Sequence, residues 1–249
     1  MIADRLRAAI LQAAISGKLT DQRPEDGTAA ELLEQIAAKR ARLVKEGKLK
    51  KQKSLPNIGE NDDPFVLPDS WRWIRFGDLV EFRMGKTPKR AEQKYWLRGS
   101  VPWVSISDMA QGETITSTRE SVSDEAISDA FGGVVSPAGT LIMSFKLTIG
   151  RCSFLGVDAV HNEAIISVFP IVDTWEILPS YLAYALPIFS SHGDAKAAMK
   201  GNTLNSTSLN LMMVSLPPLA EQERIVAKLD EVLPLIDQLA ELERERESI

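Results

Sequence analysis

The 249-residue chain carries 29 Lys and Arg against 34 Asp and Glu, a formal net charge of −5, and 44% of its residues are hydrophobic; this is the balance of an ordinary globular protein with a sizeable core. One cysteine, Cys152, and two histidines, His161 and His192, exclude an internal disulfide and leave no cluster with zinc-ligand spacing. There is no run of about 18 apolar residues, and the first helix-like stretch carries charges through its apolar positions, unlike a signal peptide, so a cytoplasmic protein is expected.

The elements follow in chain order. Residues 4–16 predict a short helix closed by Gly17, and Thr28 reads as the N-cap of a second helix, AAELLEQIAAKRARLVKEG, ending at Gly47. Its apolar stripe consists of Leu32, Ile36 and Leu43, widened by Leu33, Ala37 and Val44. A polar linker punctuated by Pro and Gly follows, and the texture then changes to short β-like runs. Residues 71–76, 101–106, 139–146, 150–156 and 163–170 predict strands, 180–189 and 194–200 short helices, and 211–217 a closing strand. The expected division is a helical region over 1–54, a linker over 55–66, an α+β domain over 67–217 and a terminal helix over 218–249.

That last helix is the most regular part of the chain. Ile225, Leu229, Val232, Ile236 and Leu239 step by four and three, and Val226, Leu233 and Leu242 widen the seam. Pro217 and Pro218 suit its start, Glu221 and Glu223 suit the positive end of its dipole, and Pro234 predicts a slight bend. Charge runs in opposed blocks: residues 39–53 hold eight basic side chains and one acid, residues 71–98 eight and three, and residues 219–249 four and nine. The basic end of the helix at 29–47 and the acidic terminal helix are therefore expected to lie together as an antiparallel coiled coil, since both stripes need burial. The fold class expected is α+β, one mixed α/β domain flanked by long N- and C-terminal helices.

Several stretches carry a resemblance: ILQAAISGKL (10–19), AAELLEQIAAKRARLVKEGKLKK (29–51), LPDSWRWIRFGDL (67–79), GKTPKR (85–90), VPWVSISDM (101–109), GTLIMSF with TIGR (139–145 and 148–151), HNEAI (161–165) and GNTLNSTSLNLMMVSLPPLAEQERIV (201–226). Together and in this order they resemble the DNA-specificity subunit of type I restriction-modification systems, in a half-length form with a single target-recognition domain. The resemblance implies a noncatalytic reader of double-stranded DNA. In that family the helix after P-P-L-A-E-Q is half of a coiled-coil spacer that holds two recognition domains apart and docks methyltransferase subunits. It further implies a second copy of the chain or another half-subunit as partner, restriction (nuclease/translocase) subunits in systems that cut, and no cofactor on this chain, S-adenosylmethionine being held by the methyltransferase. The interface positions it points to are Leu32, Ile36, Leu43, Ile225, Leu229, Val232, Leu233, Ile236 and Leu239. The helix order departs from full-length members, as in a circular permutation or a split. A helix over 219–247 is about 43 Å long at 1.5 Å per residue, a little more than one turn of B-DNA at about 34 to 36 Å.

Candidate DNA contacts fall in three places. Arg83, Lys86, Thr87, Lys89 and Arg90 surround Gly85 and Pro88 in a basic loop suited to following phosphates or entering a groove. Lys146, Thr148 and Arg151 lie in an expected hairpin where Gly150 permits close backbone approach. Lys200, Asn202, Asn205 and Ser206 precede the closing strand, where amides and hydroxyls either meet DNA or cap the chain locally. Trp71, Trp73, Trp96 and Trp103 lie in or beside strands and read as core. Glu163 stands where the family usually has Gln; an acid there repels phosphate, so it either faces the interior or reads cytosine amino groups.

Two other readings compete. Asp69 followed by Glu92 and Lys94 fits the loose PD…ExK pattern of metal-dependent nucleases, although acid-x-Lys recurs at Glu46 and Lys48 and at Asp194 and Lys196. A helical scaffold without DNA readout is the other. Methyl transfer needs a glycine-rich cofactor turn and an Asn/Asp-Pro-Pro-aromatic loop, whereas Pro217-Pro218 is flanked by Leu216 and Leu219. Cys152 and His161 have no clear third partner for a catalytic dyad.

Overall fold

In the computed structural model, which describes residues 1–59, 62–172, 177–190 and 204–247, helices form where the caps and stripes ask for them. Helix α1 spans Ile2–Ile15 and α2 spans Ala29–Lys45. The Thr28 side chain accepts from the Glu31 amide while the Glu31 carboxylate accepts from the Thr28 amide, a reciprocal cap that fixes the start of α2. The chain divides into two compact units, one of Met1–Arg75, Ile171–Ala185 and Met213–Ile249, the other of Phe76–Pro170 and Leu186–Met212.

In the first unit, strand β1 (Arg72–Arg75) pairs antiparallel with β10 (Met213–Leu216), so these strands belong with the helices. The last helix, Leu219–Glu247, is labelled α7; it runs unbroken through Pro234 and turns Ile225, Leu229, Leu233 and Ile236 inward. Its companion is α1, not α2. The Ile2 amide donates to Glu243 at 2.9 Å, Arg7 pairs with Asp237, and Thr20 donates to Glu221 at 2.9 Å, so α1 and the segment that follows it run antiparallel to α7. The expected pairing of 29–47 with 219–247 within the chain is therefore corrected. The physical reason is that α1 turns Ala3, Ala14 and Ile15 into burial and offers Arg7 to Asp237 of α7, whereas the basic end of α2 leaves Leu43 and Val44 only half-buried.

The start of α7 is clamped by Glu221, which is 1% exposed. Its carboxylate accepts from the Trp71 indole at 2.7 Å, the Gln22 amide at 2.6 Å and the Thr20 hydroxyl. One turn on, the Arg224 guanidinium forks onto Asp26 at 2.8 Å and holds that carboxyl below the usual range. The Ser215 hydroxyl donates to the Ile15 carbonyl at 2.7 Å, and buried Tyr181 donates to the Ser215 carbonyl.

The second unit holds α3 (Phe76–Leu79), β2 (Val80–Met84), β3 (Val101–Val104), β4 (Thr114–Ile115), β5 (Glu120–Val122), α4 (Asp124–Phe131), β6 (Leu141–Ser144), β7 (Cys152–Leu155), β8 (Val160–His161), β9 (Ile165–Pro170) and α6 (Ser206–Leu211). Helix α5 is Ile177–Phe189; the helix expected over 194–200 lies outside the described residues. One sheet runs β2-β9-β6-β7-β4 and a smaller one β5-β3-β8. β6 (LIMS) is buried throughout and β9 (IISVFP) over its first four residues, apolar runs of the kind interior strands require. Val104, Met109, Ile115, Ile142, Leu155, Ala159 and Ile165 form one core cluster, and Trp103, Val122, Ala126, Ile127 and Val160 a second. No helix among the described residues is long and apolar enough to cross a membrane.

Candidate nucleic-acid interface

Strand β2 delivers the basic loop. It carries Arg83 and Met84 to the edge of the larger sheet, and the chain then bends at Gly85, where a Cβ would collide with the carbonyl oxygens of His161 and Asn162. Only glycine permits this approach, and it lets the Gly85 amide donate to Ile165 at 3.1 Å and the Lys86 amide donate to His161 at 2.9 Å. From the other side the Trp103 indole donates to the Lys86 carbonyl at 3.0 Å and the Trp96 indole to the Lys89 carbonyl at 3.2 Å. The loop is thus pinned at four backbone points before any charged side chain is considered.

Two further segments join it. The β6–β7 hairpin docks through the Phe145 amide, which donates to Ala164 at 2.8 Å, and its own turn is closed by the Gly150 amide on Ser144 at 2.8 Å and by the Ser144 hydroxyl on Thr148. Gly150 sits at φ +83°, where a side chain would be strained. The β8–β9 turn, Asn162 to Ala164, lies between, closed by the Asn162 side chain accepting from the Ala164 amide at 3.0 Å. Three loops distant in sequence therefore form one rim.

The rim's charges are unequal in role. Arg83 is exposed, its guanidinium 5.1 Å from the Phe169 ring. Lys86 is exposed and, among the described residues, has no ion-pair partner; Lys146 is half-buried beside the Phe145 ring. Lys89 pairs with Glu92 at 3.0 Å, which raises the ammonium's pKa and lowers the carboxyl's. Arg90 is held more firmly: it lies 3.8 Å over Trp96 and 4.8 Å over Trp103, which meet edge to face, and it forks onto Glu120. Trp71 and Trp103 are core residues as expected, but Trp96 and Trp103 also form the platform beneath Arg90. Sequence reasoning had no signal for that contact, because it is made across the loop and two strands.

The Thr87 hydroxyl donates to Glu163, whose exposed carboxylate also faces the charges of Lys146 and Arg90. The hydrogen bond from Thr87 is the chief cause holding its carboxyl below the usual range. Glu163 does not face the interior. Of the remaining candidates, Arg151 turns inward and donates to the carbonyls of Ile106 and Met109 at 3.4 and 3.3 Å, so it braces the loop at 106–109. Thr148 is exposed at the hairpin tip. Asn205 caps α6 by accepting from the Ser208 amide at 2.9 Å, and Ser206 is the first residue of that helix. Lys200 and Asn202 lie outside the described residues.

Beneath the rim, His161 is 3% exposed. Its Nδ1 donates to the Asn162 carbonyl at 3.3 Å, and Nε2 meets the Ser167 hydroxyl at 2.7 Å, which in turn meets Ser136 at 2.7 Å. Burial pushes the imidazole pKa down from 6.5 to about 4. Between those values the unfolded chain binds a proton that the folded chain refuses, so stability is full above about pH 6.5 and falls by about 3 kcal/mol on the way to pH 4. Urea unfolding at pH 7.5 and pH 5 is expected to show about 2 kcal/mol of this loss, and His161→Asn is expected to flatten the difference; equal pH dependence in the variant would rule the imidazole out as its source.

The residues of the other readings are engaged elsewhere. Lys94 bonds Glu125 at 2.8 Å and Asp129 at 3.2 Å, and Glu92 bonds Lys89. Among the described residues no group of three His, Cys, Asp or Glu could hold a metal ion. Cys152 is fully buried and its thiol pKa is pushed up by burial, the opposite of an activated nucleophile.

A model of the type I restriction modification DNA specificity domain matches residues 68–246. The chain belongs to this family. The matched span of the specificity domain runs from just before β1 into α7 and includes the whole rim. Over 243 residues the chain is 28% identical to the specificity subunit of the type I restriction enzyme EcoAI of Escherichia coli, covering 95% of this chain and 41% of that protein. It is 47% identical over 77 residues to the EcoEI specificity subunit of Escherichia coli, covering 31% of this chain and 13% of that one. A solved chain from work on the complex assembly and conformational transition of the type I R-M system superimposes with a TM-score of 0.58 at 19% identity, covering 99% of this chain and 53% of that one. The HsdS subunit from Thermoanaerobacter tengcongensis gives 0.52 at 19% identity, covering 97% and 53%; these two show that the fold is shared. The chain spans about half the length of such relatives or less.

Proposed function

We propose that the chain is the specificity subunit of a type I restriction-modification complex, noncatalytic itself, which reads double-stranded DNA through the rim of its second unit. The observation that carries this is the rim: three loops from separate parts of the sequence, locked to one another by backbone hydrogen bonds, presenting Arg83, Lys86, Lys89 and Lys146 on a rigid edge. Rigid placement is what base readout needs, and exposed cations are what phosphate contact needs. Methyl transfer, with its S-adenosylmethionine, belongs to partner methyltransferase subunits, and cleavage, where it occurs, to restriction subunits.

The reading extends to a pairwise assembly on a bipartite site. With Ile225, Leu229, Leu233 and Ile236 buried inside the chain, α7 retains a second stripe: Val232 and Leu239 are half-exposed, and Leu235 and Leu242 are 59% and 63% exposed. The two pairs each repeat at seven residues, the spacing of a coiled-coil seam. A second copy of this chain, or another half-subunit, would cover it. The interface positions are then Val232, Leu235, Leu239 and Leu242, while Ile225, Leu229, Leu233 and Ile236 serve the chain's own core, and Leu32 and Ile36 are buried on α2.

Mapping methylated adenines in cells that carry the methyltransferase subunits, with and without this chain, tests the proposal. Methylation confined to a two-part motif is expected only when the chain is present, palindromic for two identical copies; methylation indifferent to the chain would refute the reading. Leu235→Glu with Leu242→Glu is expected to turn the purified chain from dimer to monomer in sedimentation and to abolish the two-part motif.

A further inference from the structure

We propose that Glu163 reads a base: its carboxylate accepts a hydrogen bond from the exocyclic amino group of a cytosine in the major groove. This rests on the proposed DNA-reading role of the rim and assigns one element of its specificity.

The placement is the starting point. Glu163 projects from the β8–β9 turn, exposed, between the basic loop and the β6–β7 hairpin, with Lys146 and Arg90 as neighbouring charges and the Thr87 hydroxyl bonded to one carboxylate oxygen. An anion on a phosphate-facing surface repels the ligand that the surrounding cations attract, so its position is productive only where no phosphate comes close, over the base edges. The turn itself is rigid. Asn162 closes it, Ala164 carries the Phe145 amide, and buried His161 anchors it to Ser167. Thr87 fixes the orientation of the carboxylate while leaving it capacity for further donors, since a carboxylate accepts about four hydrogen bonds.

The chemistry then selects the base. Ionised, the group is an acceptor with no proton to donate. In the major groove guanine offers N7 and O6 acceptors and thymine an O4 acceptor, all of which repel it. Adenine couples its N6 donor to an adjacent N7 acceptor, which suits the mixed donor and acceptor of Asn or Gln. Cytosine alone presents an amino donor without a neighbouring acceptor on the same base. The Thr87 hydrogen bond, with the charges of Lys146 and Arg90 beside it, keeps the carboxylate ionised.

Glu163→Gln separates this role from that of a peg for Thr87, because the glutamine carbonyl still accepts from the hydroxyl and the volume is unchanged. The chain and its methyltransferase subunits, assembled with either residue, are presented with a randomised duplex library, and the methylated or retained sequences are read. With Glu163, one position of the recognised sequence is expected to be a fixed C:G pair, preferred over the other pairs by roughly 5- to 150-fold. In the Glu163→Gln complex, that position alone is expected to relax or shift towards A:T, while total binding to mixed DNA stays equal or rises as an anion is lost. An unchanged motif with unchanged discrimination overturns the proposal. A complex with Glu163 that selects no sequence at all would instead overturn the reading of the rim as a DNA interface, so the two failures are distinguishable.

Discussion

Glu221→Leu is expected to destabilise the first unit by about 3 kcal/mol and to lower its melting temperature by roughly 6 to 12 °C. The carboxylate is fully enclosed and accepts three hydrogen bonds, from the indole of Trp71, the amide of Gln22 and the hydroxyl of Thr20. A leucine of similar volume leaves those donors buried without an acceptor, and each such orphan costs about 1 to 3 kcal/mol, offset in part because the desolvated charge is gone. The first turn of α7 loses an anion where its dipole favours one. Three segments separate together, since Trp71 precedes β1, Thr20 and Gln22 follow α1, and Glu221 opens α7. Glu221→Gln retains an acceptor and is expected to cost clearly less. Thermal and urea unfolding of the purified chain, followed by Trp fluorescence, measures both; equal stability of Glu221→Leu and the parent would remove the clamp from the account.

Replacing Arg83, Lys86 and Lys146 together with Gln is expected to weaken duplex binding by the assembled complex roughly a hundredfold near 0.1 M salt and to make the dependence of log affinity on log salt shallower by about 3. Each phosphate neutralised on duplex DNA releases counterions and contributes about 0.9 of slope. These three are chosen from the structure because Arg83 and Lys86 are exposed, Lys146 is half-buried on the same rim, and none is the chief brace of its loop. Arg90, by contrast, lies between Trp96, Trp103 and Glu120, so its loss would disturb the loop as well as the charge. Anisotropy titrations of a labelled duplex from about 50 to 300 mM salt read both quantities. Unchanged affinity and slope would favour a scaffold whose second unit does not touch DNA. A lower affinity with unchanged slope would point to misfolding of the rim, which the melting curve of the triple variant reports separately.

The contrast between these two predictions reflects where information resides in the chain. Elements governed by neighbours in sequence were legible without coordinates: Thr28 as the cap of α2, the proline-marked start of α7, the apolar runs of β6 and β9, and the change of texture after the linker. The shorter strands β2, β4, β5 and β8 and the helix α4 were not anticipated, because segments of two to eight residues take their state from partners. The basic loop was visible as composition, and the motifs that link the chain to its family were visible as order. The close approach of Gly85 to the carbonyl oxygens of His161 and Asn162 was not legible, because nothing nearby in sequence named His161 as what approaches.

By itself, then, the sequence determined the three long helices and the longer apolar strands, where cations concentrate, and which family the chain resembles, because those properties depend on residues a few positions apart. Tertiary structure alone decided that α1 rather than α2 lies along α7, that one half of α7's apolar surface is buried while Val232, Leu235, Leu239 and Leu242 remain outside, and that Arg151 and Asn205 serve the chain's own backbone. It alone brought Glu163 beside Thr87, seventy-six positions away, and Glu221 beside Trp71. Those outcomes turn on competition among surfaces of similar hydrophobicity and among donors of similar strength, and such competition is resolved only by which partner the packed chain can reach.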